Sequence, residues 1–164
     1  YLKNMSERKI IRFFKRHIAG IMAILVICII AGYFVNVIFF ENKKDVISVL
    51  VLKPLTDTEA LEKEIGTVVE VDGKEEIHIQ SIDFDLGANE AIATTWLRSG
   101  TIDVIIGRED QIAFYEEAGY LEETQRAERG IAGVDIEDPA VALTANMSHE
   151  ENARAVLELF SKKR

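Results

Sequence analysis

A single cysteine, Cys28, stands in 164 residues, with two prolines and ten glycines. No disulfide can staple the chain, so any exported part must be held by an ordinary apolar core. Collagen-like and low-complexity architectures are excluded by the scarcity of Pro and Gly. Histidine is equally sparse: His17, His78 and His149 are far apart, and no pair has metal-ligand spacing. Neither a G-x-S-x-G elbow, a P-loop nor a G-x-G-x-x-G fingerprint occurs. No metal, cofactor or enzymatic activity is therefore expected. Cations are outnumbered, 19 Lys and Arg against 28 Asp and Glu for a net charge of −9, which argues against nucleic-acid binding through a broad basic surface. What the chain does have is a 48% hydrophobic composition, enough for one packed domain.

The charge is divided unevenly. Residues 1–40 hold six Lys and Arg against Glu7, a net of +5, and the remainder carries 13 against 27, a net of −14. Between the basic segment 1–17 and the acidic region 41–164 runs an uncharged stretch of 23 residues from Ile18 to Phe40, IAGIMAILVICIIAGYFVNVIFF. As a helix it would be roughly 34 Å long, enough for a hydrocarbon core of about 30 Å. It is too long and bulky for a cleavable signal peptide, and Leu25, Val26 and Ile27 before Cys28 do not suit a lipid-modified cysteine. The expectation is a single-pass transmembrane helix contacting the lipid bilayer. The cation bias places the N-terminus in the cytoplasm and residues 41–164 outside the cell membrane.

The acidic region alternates. Val46 to Leu52 is a nearly continuous β-branched run, suited to a strand buried on both faces. Thr56-Asp57-Thr58-Glu59 forms a capping box before Leu61 and Ile65. Ile77 and Ile79 mark a second strand with His78 and Gln80 on its other side, and a helix spans Ala88 to about Arg98, closed by Ser99-Gly100. Ile102 to Ile106 is a third strand, and from Arg108 a helix runs to Gly119. Residues 122–139 carry no clear pattern. Ala140 to Ala145 reads as a short strand, and Ser148 to Glu151 is a second capping box opening a final helix with Ala153, Val156, Leu157 and Phe160 inward. This order predicts an α/β fold: one open, mostly parallel sheet with helices on both faces.

Ser99-Gly100-Thr101-Ile102-Asp103-Val104-Ile105-Ile106-Gly107, followed by Phe114 to Leu121 (FYEEAGYL), resembles segments of the extracellular solute-binding proteins of bacterial ABC importers. Ala142 to Asn146, then Glu151-Asn152-Ala153 and Leu157 to Phe160, resembles the closing segment of that family. The family closes two lobes around a ligand, whereas here only residues 122–139 separate the matching segments. The resemblance therefore implies a single membrane-anchored lobe, a binding or accessory module that takes a small-molecule ligand or sits beside an ABC transporter permease or other membrane protein. The alternative is a structural adaptor that binds a protein partner and no small molecule.

In doubly wound sheets ligands lie beyond the carboxyl ends of strands at the switch in strand order. With the order 2-1-3-4, that crevice falls between residues 53–58 and 107–110. Lys53, Thr56, Arg108 and Glu109 would face it, the helix N-terminus at Arg108 helping to hold an anion. Asp83 and Asp85, on one side of the chain around Phe84 at the end of the second strand, could give two oxygens to a hard cation, but nothing nearby completes the set of about six to eight that Ca²⁺ needs. Against this stands the reading that all six are capping and surface residues.

Overall fold

Strand β1, Lys44–Val51, is the first element of the acidic region, and its β-branched run is buried from Val46 onward. A computed structural model describes residues 22, 25–31 and 44–161. The chain divides into two compact units, Tyr1–Lys43 and Lys44–Arg164. In the second unit β1 is followed by α1 (Thr58–Ile65), β2 (Glu75–Ser81), α2 (Gly87–Ser99), β3 (Val104–Arg108), α3 (Glu109–Glu117), β4 (Leu121–Arg126), β5 (Pro139–Thr144) and α4 (Glu150–Ser161).

The five strands form one sheet in the order β2-β1-β3-β5-β4. β1 pairs in parallel with β2 and β3, while β5 runs antiparallel to both β3 and β4. The fold is α/β, but the sheet is mixed rather than mostly parallel. Connections explain the difference. The strand expected near residues 140–145 is reached through residues 127–138 with no helix between, and parallel neighbours need a crossover. It therefore returns antiparallel, fully buried between β3 and an edge strand, β4, that the polar sequence LEETQR conceals. Edge strands tolerate such polarity because one side meets water.

Each sheet face has its own core. Val46, Ile47, Val49 and Val51 pack against Leu61 and Ile65 of α1 and against Ala153, Val156, Leu157 and Phe160 of α4. On the reverse, Leu50 and Leu52 meet Ala93 and Leu97 of α2 and Ile112 and Tyr115 of α3. Phe160 is wholly buried, worth roughly 1.5–3 kcal/mol in transfer terms, and Arg129 stacks 5.7 Å above its ring. Glycine closes α2: Gly100 adopts φ 68° and caps the helix with its N–H on Leu97 and Trp96 carbonyls. The acidic pair Glu122-Glu123 is tied to α4, since Arg154 meets Glu122 at 2.8 Å, Glu123 at 3.2 Å and Glu150 at 3.0 Å.

The capping boxes are used differently from the sequence expectation. Asp57, not Thr56, caps α1 by accepting from Ala60 N at 3.0 Å. Ser148 turns its hydroxyl to the Gly100 carbonyl at 3.3 Å. The start of α4 is held instead by Asp103, a carboxylate only 1% exposed. Asp103 accepts from Ser48 N at 2.8 Å, Ser148 N at 2.6 Å and His149 N at 3.0 Å, and meets His149 Nδ1 at 2.8 Å.

The membrane-spanning expectation is corrected. Among the described residues no helix is long and apolar enough to cross a membrane. Of residues 18–40 only 22 and 25–31 are described, all helical, and the rest of that stretch lies outside the described residues. The single-pass topology, and the placement of the acidic unit outside the cell membrane that followed from it, fall with that finding.

Candidate functional site

The carboxyl ends of β1, β2 and β3 lead into the segments that carry all six candidate residues. The structure sorts them into two groups. Lys53 and Thr56 follow β1, where the chain must leave the sheet and cross toward α1. Their polar groups are taken by residues 127–138, the connection between β4 and β5. Lys53 Nζ donates to the Asp135 carbonyl and pairs with its carboxylate at 3.3 Å. Thr56 donates to the Gly133 carbonyl from its backbone N at 2.9 Å and its hydroxyl at 3.0 Å. The connection is anchored by Ala127, Ile131 and Ile136, which are buried in the core under α1 and α4. Arg129 pairs with Glu64 of α1, whose other oxygen accepts from Ala132 N at 2.9 Å.

Asp83, Asp85, Arg108 and Glu109 form the second group. Asp83 serves its own turn: Oδ1 accepts from Asp85 N at 3.2 Å, and its carbonyl accepts from the Asn89 side chain at 2.7 Å. Asp85 lies 3.4 Å from the Arg108 guanidinium, which also meets Asp110 at 3.1 Å. Arg108 closes the start of α3, its N–H donating to Gln111 Oε1 at 3.0 Å. Glu109 and Asp110 fill the first turn of that helix, so the positive end of its dipole already faces two carboxylates.

The expected anion site is therefore not what the geometry presents. Arg108, Glu109, Asp110, Glu137 and Asp138 line an open groove of about 520 Å³, with one guanidinium against four carboxylates. Asp138 is also paired with Arg126 at 2.9 Å. A second open groove of about 630 Å³ runs between α1 and β2, with one cation, Lys63, against Glu59, Glu62, Glu70 and Asp72 around Val69 and Ile77. Both concavities suit cationic ligands better than anionic ones.

Hydrogen bonds and charge from Asp110 and Asp85 raise the Arg108 pKa, and Arg108 in turn holds the Asp110 carboxyl below its ordinary 3.8. Both groups are largely exposed, so the pair is screened and contributes little to stability. Its sign is nonetheless testable. A lowered carboxyl pKa contributes stability at neutral pH that is lost as the pH falls below the ordinary value and through the lowered one. Carboxyl NMR titration of the wild-type chain should place Asp110 below 3.8. In Arg108→Met the value should rise toward the ordinary one, and no rise would mean that Arg108 is not the cause.

Sequence reasoning located this end of the sheet but missed Asp135, Glu137 and Asp138, which lie in the stretch without apolar periodicity. Clustered Asp and Glu in 134–138 was the only available signal. No protein-family model, curated protein or solved structure matches the chain.

Proposed function

We propose that the unit of residues 44–164 is an adaptor that binds a basic protein segment at the acidic groove beside α3, rather than a receptor that encloses a small solute. One observation carries this reading: the connection 127–138 occupies the strand ends, so Lys53 and Thr56 are engaged within the chain. What remains accessible there is a groove in which Glu109, Asp110, Glu137 and Asp138 outnumber Arg108. The resemblance to one lobe of a solute-binding protein is compatible with it, since a lobe without its opposing half leaves a face to be covered by something else. The charge of −14 on residues 41–164 would speed the approach of a cationic partner.

Calorimetric titration of the full chain with Lys- and Arg-rich peptides tests the proposal, with Glu-rich peptides of equal length as controls. Binding should be confined to the cationic series, weaken as salt rises, and fall by about tenfold in the double charge reversal Glu137→Lys/Asp138→Lys, as expected for loss of close charge pairs. A thermal-shift screen with amino acids, sugars and phosphate accompanies it. Stabilisation by one of these solutes, with no peptide binding, would reject the adaptor and restore the solute receptor.

A further inference from the structure

The end of the sheet opposite the crevice gathers another set of polar side chains. Asp45, Glu76 and His78 each offer one ligand atom, and the three atoms lie within 4.8 Å of one another. Backbone register produces this. A bulge between Asp45 and Ile47 turns both Val46 and Ile47 into the core under α1 and α4, which leaves Asp45 on the reverse face beside Ser48. On β2, Glu76 and His78 alternate with Ile77 and Ile79, which pack on the α1 side. Asp45 stands opposite Glu76 and Ser48 opposite His78. Two carboxylates, an imidazole and a hydroxyl thus share one face as a two-by-two grid.

An independent observation concerns polar atoms that lack partners. Ser48 is only 4% exposed, and among the described residues its hydroxyl has no hydrogen-bond partner. The same holds for Gln80 Oε1, one step further along that face of β2. Both flank His78: Ser48 across the ladder, and Gln80 with its carboxamide nitrogen 2.7 Å from His78 Nε2. Buried polar atoms are nearly always satisfied in native folds, and turning the Gln80 carboxamide would put its oxygen on His78 Nε2, so it is the Ser48 hydroxyl that points to a bound group with its own hydration.

We propose that Asp45, Glu76 and His78 bind a divalent transition-metal ion of the Zn²⁺ class, with Ser48 and Gln80 in its outer shell. Two carboxylates match the charge of the ion, and the ion removes the repulsion between acids directly opposed in a ladder. The imidazole selects Zn²⁺, Co²⁺ or Ni²⁺ over Ca²⁺ and Mg²⁺, which prefer all-oxygen shells. Ligands about 2.1 Å from a tetrahedral ion are about 3.4 Å apart. All three residues keep part of their surface in solvent, which leaves room for side-chain rotation to close the present spacing. Three protein ligands leave one position for water, on the sheet face that also carries Ser48. With the ion on Nδ1, Nε2 of His78 keeps the ring proton and the Gln80 carboxamide turns its oxygen onto it.

Calorimetric titration of the chelator-treated full chain with ZnCl₂, and visible absorption on adding CoCl₂, provide the test. About one equivalent of Zn²⁺ should bind, and a large excess of Ca²⁺ should not displace it. Asp45→Asn, Glu76→Gln and His78→Asn should each weaken Zn²⁺ by about tenfold or more, and Gln80→Leu by a similar or smaller factor. His17→Asn should leave it unchanged. The two amide variants keep side-chain shape and relieve like-charge repulsion, so they should fold like the parent by circular dichroism and decide the matter if His78→Asn does not. Sub-stoichiometric binding, equal affinity for Ca²⁺, or affinities within about twofold of the parent in both amide variants would overturn the proposal.

Discussion

Asp103→Ala is expected to remove about 3–5 kcal/mol of stability, read as a fall in the urea midpoint at unchanged slope. The carboxylate is 1% exposed and accepts from three backbone N–H groups and the His149 imidazole. Alanine would leave Ser48 N inside the sheet without this acceptor and would uncap the first turn of α4. Each buried donor stranded in this way costs about 1–3 kcal/mol. Ser148 and His149 are exposed or partly exposed and can recruit water, which keeps the total below the sum of the separate losses. Against a domain stability of about 5–15 kcal/mol, that is a large share. His149→Ala separates the contributions. The His149 side chain is 30% exposed, so losing it should cost about 1 kcal/mol or less, while its backbone N–H keeps Asp103. If the two variants were equally damaging, the imidazole rather than the backbone cradle would be the important partner.

Asp103 also shows what can and cannot be read from a sequence. The strand it precedes was plain: Ile102 to Ile106 is apolar apart from Asp103 itself, and β3 forms over Val104–Arg108. Its partners are 55 positions before it and 45 and 46 after it, and no local pattern reports them. The same division holds across the fold. β1, β2, β3 and the four helices follow from apolar period and caps, because burial imposes that period locally. β4 was invisible because an edge strand with one wet side needs no apolar repeat. The direction of β5 was misjudged because direction is fixed by the connection before it and not by its own residues. At the crevice, the location was legible from the ends of β1 and β3, but not its charge. Lys53 finds Asp135 across 82 positions and Arg108 finds Asp85 across 23, so two cations that looked available are engaged within the chain. The trio of Asp45, Glu76 and His78 was hidden by a single extra residue in β1, which shifts Asp45 to the other face.

Gly133→Ala is expected to lift the β4–β5 connection off the strand ends and to cost about 2–3 kcal/mol. Gly133 adopts φ +72°, where a Cβ is strained by about 1–2 kcal/mol, and that Cβ would fall 1.8 Å from the Asp57 carbonyl oxygen. Both sides of the clash are backbone, so no side-chain rotation relieves it. As the segment moves, the bonds from Thr56 N and Thr56 Oγ1 to the Gly133 carbonyl go, at about 1 kcal/mol each, partly offset by water. Ile131 and Ile136 remain held in the core, which confines the opening to the turn between them. An endoprotease that cuts before aspartate reads the result at Asp135, inside that turn. Where cleavage follows the open population, about 2 kcal/mol corresponds to roughly 30-fold faster cutting. Gly130→Ala is the matched control, three residues away in the same connection, with nothing within 4 Å of the added methyl and no positive φ. It should cut at the wild-type rate. Equal rates for the two variants would mean that the connection is not clamped at Gly133, and Lys53 and Thr56 would then be open to solutes, against the adaptor proposed above.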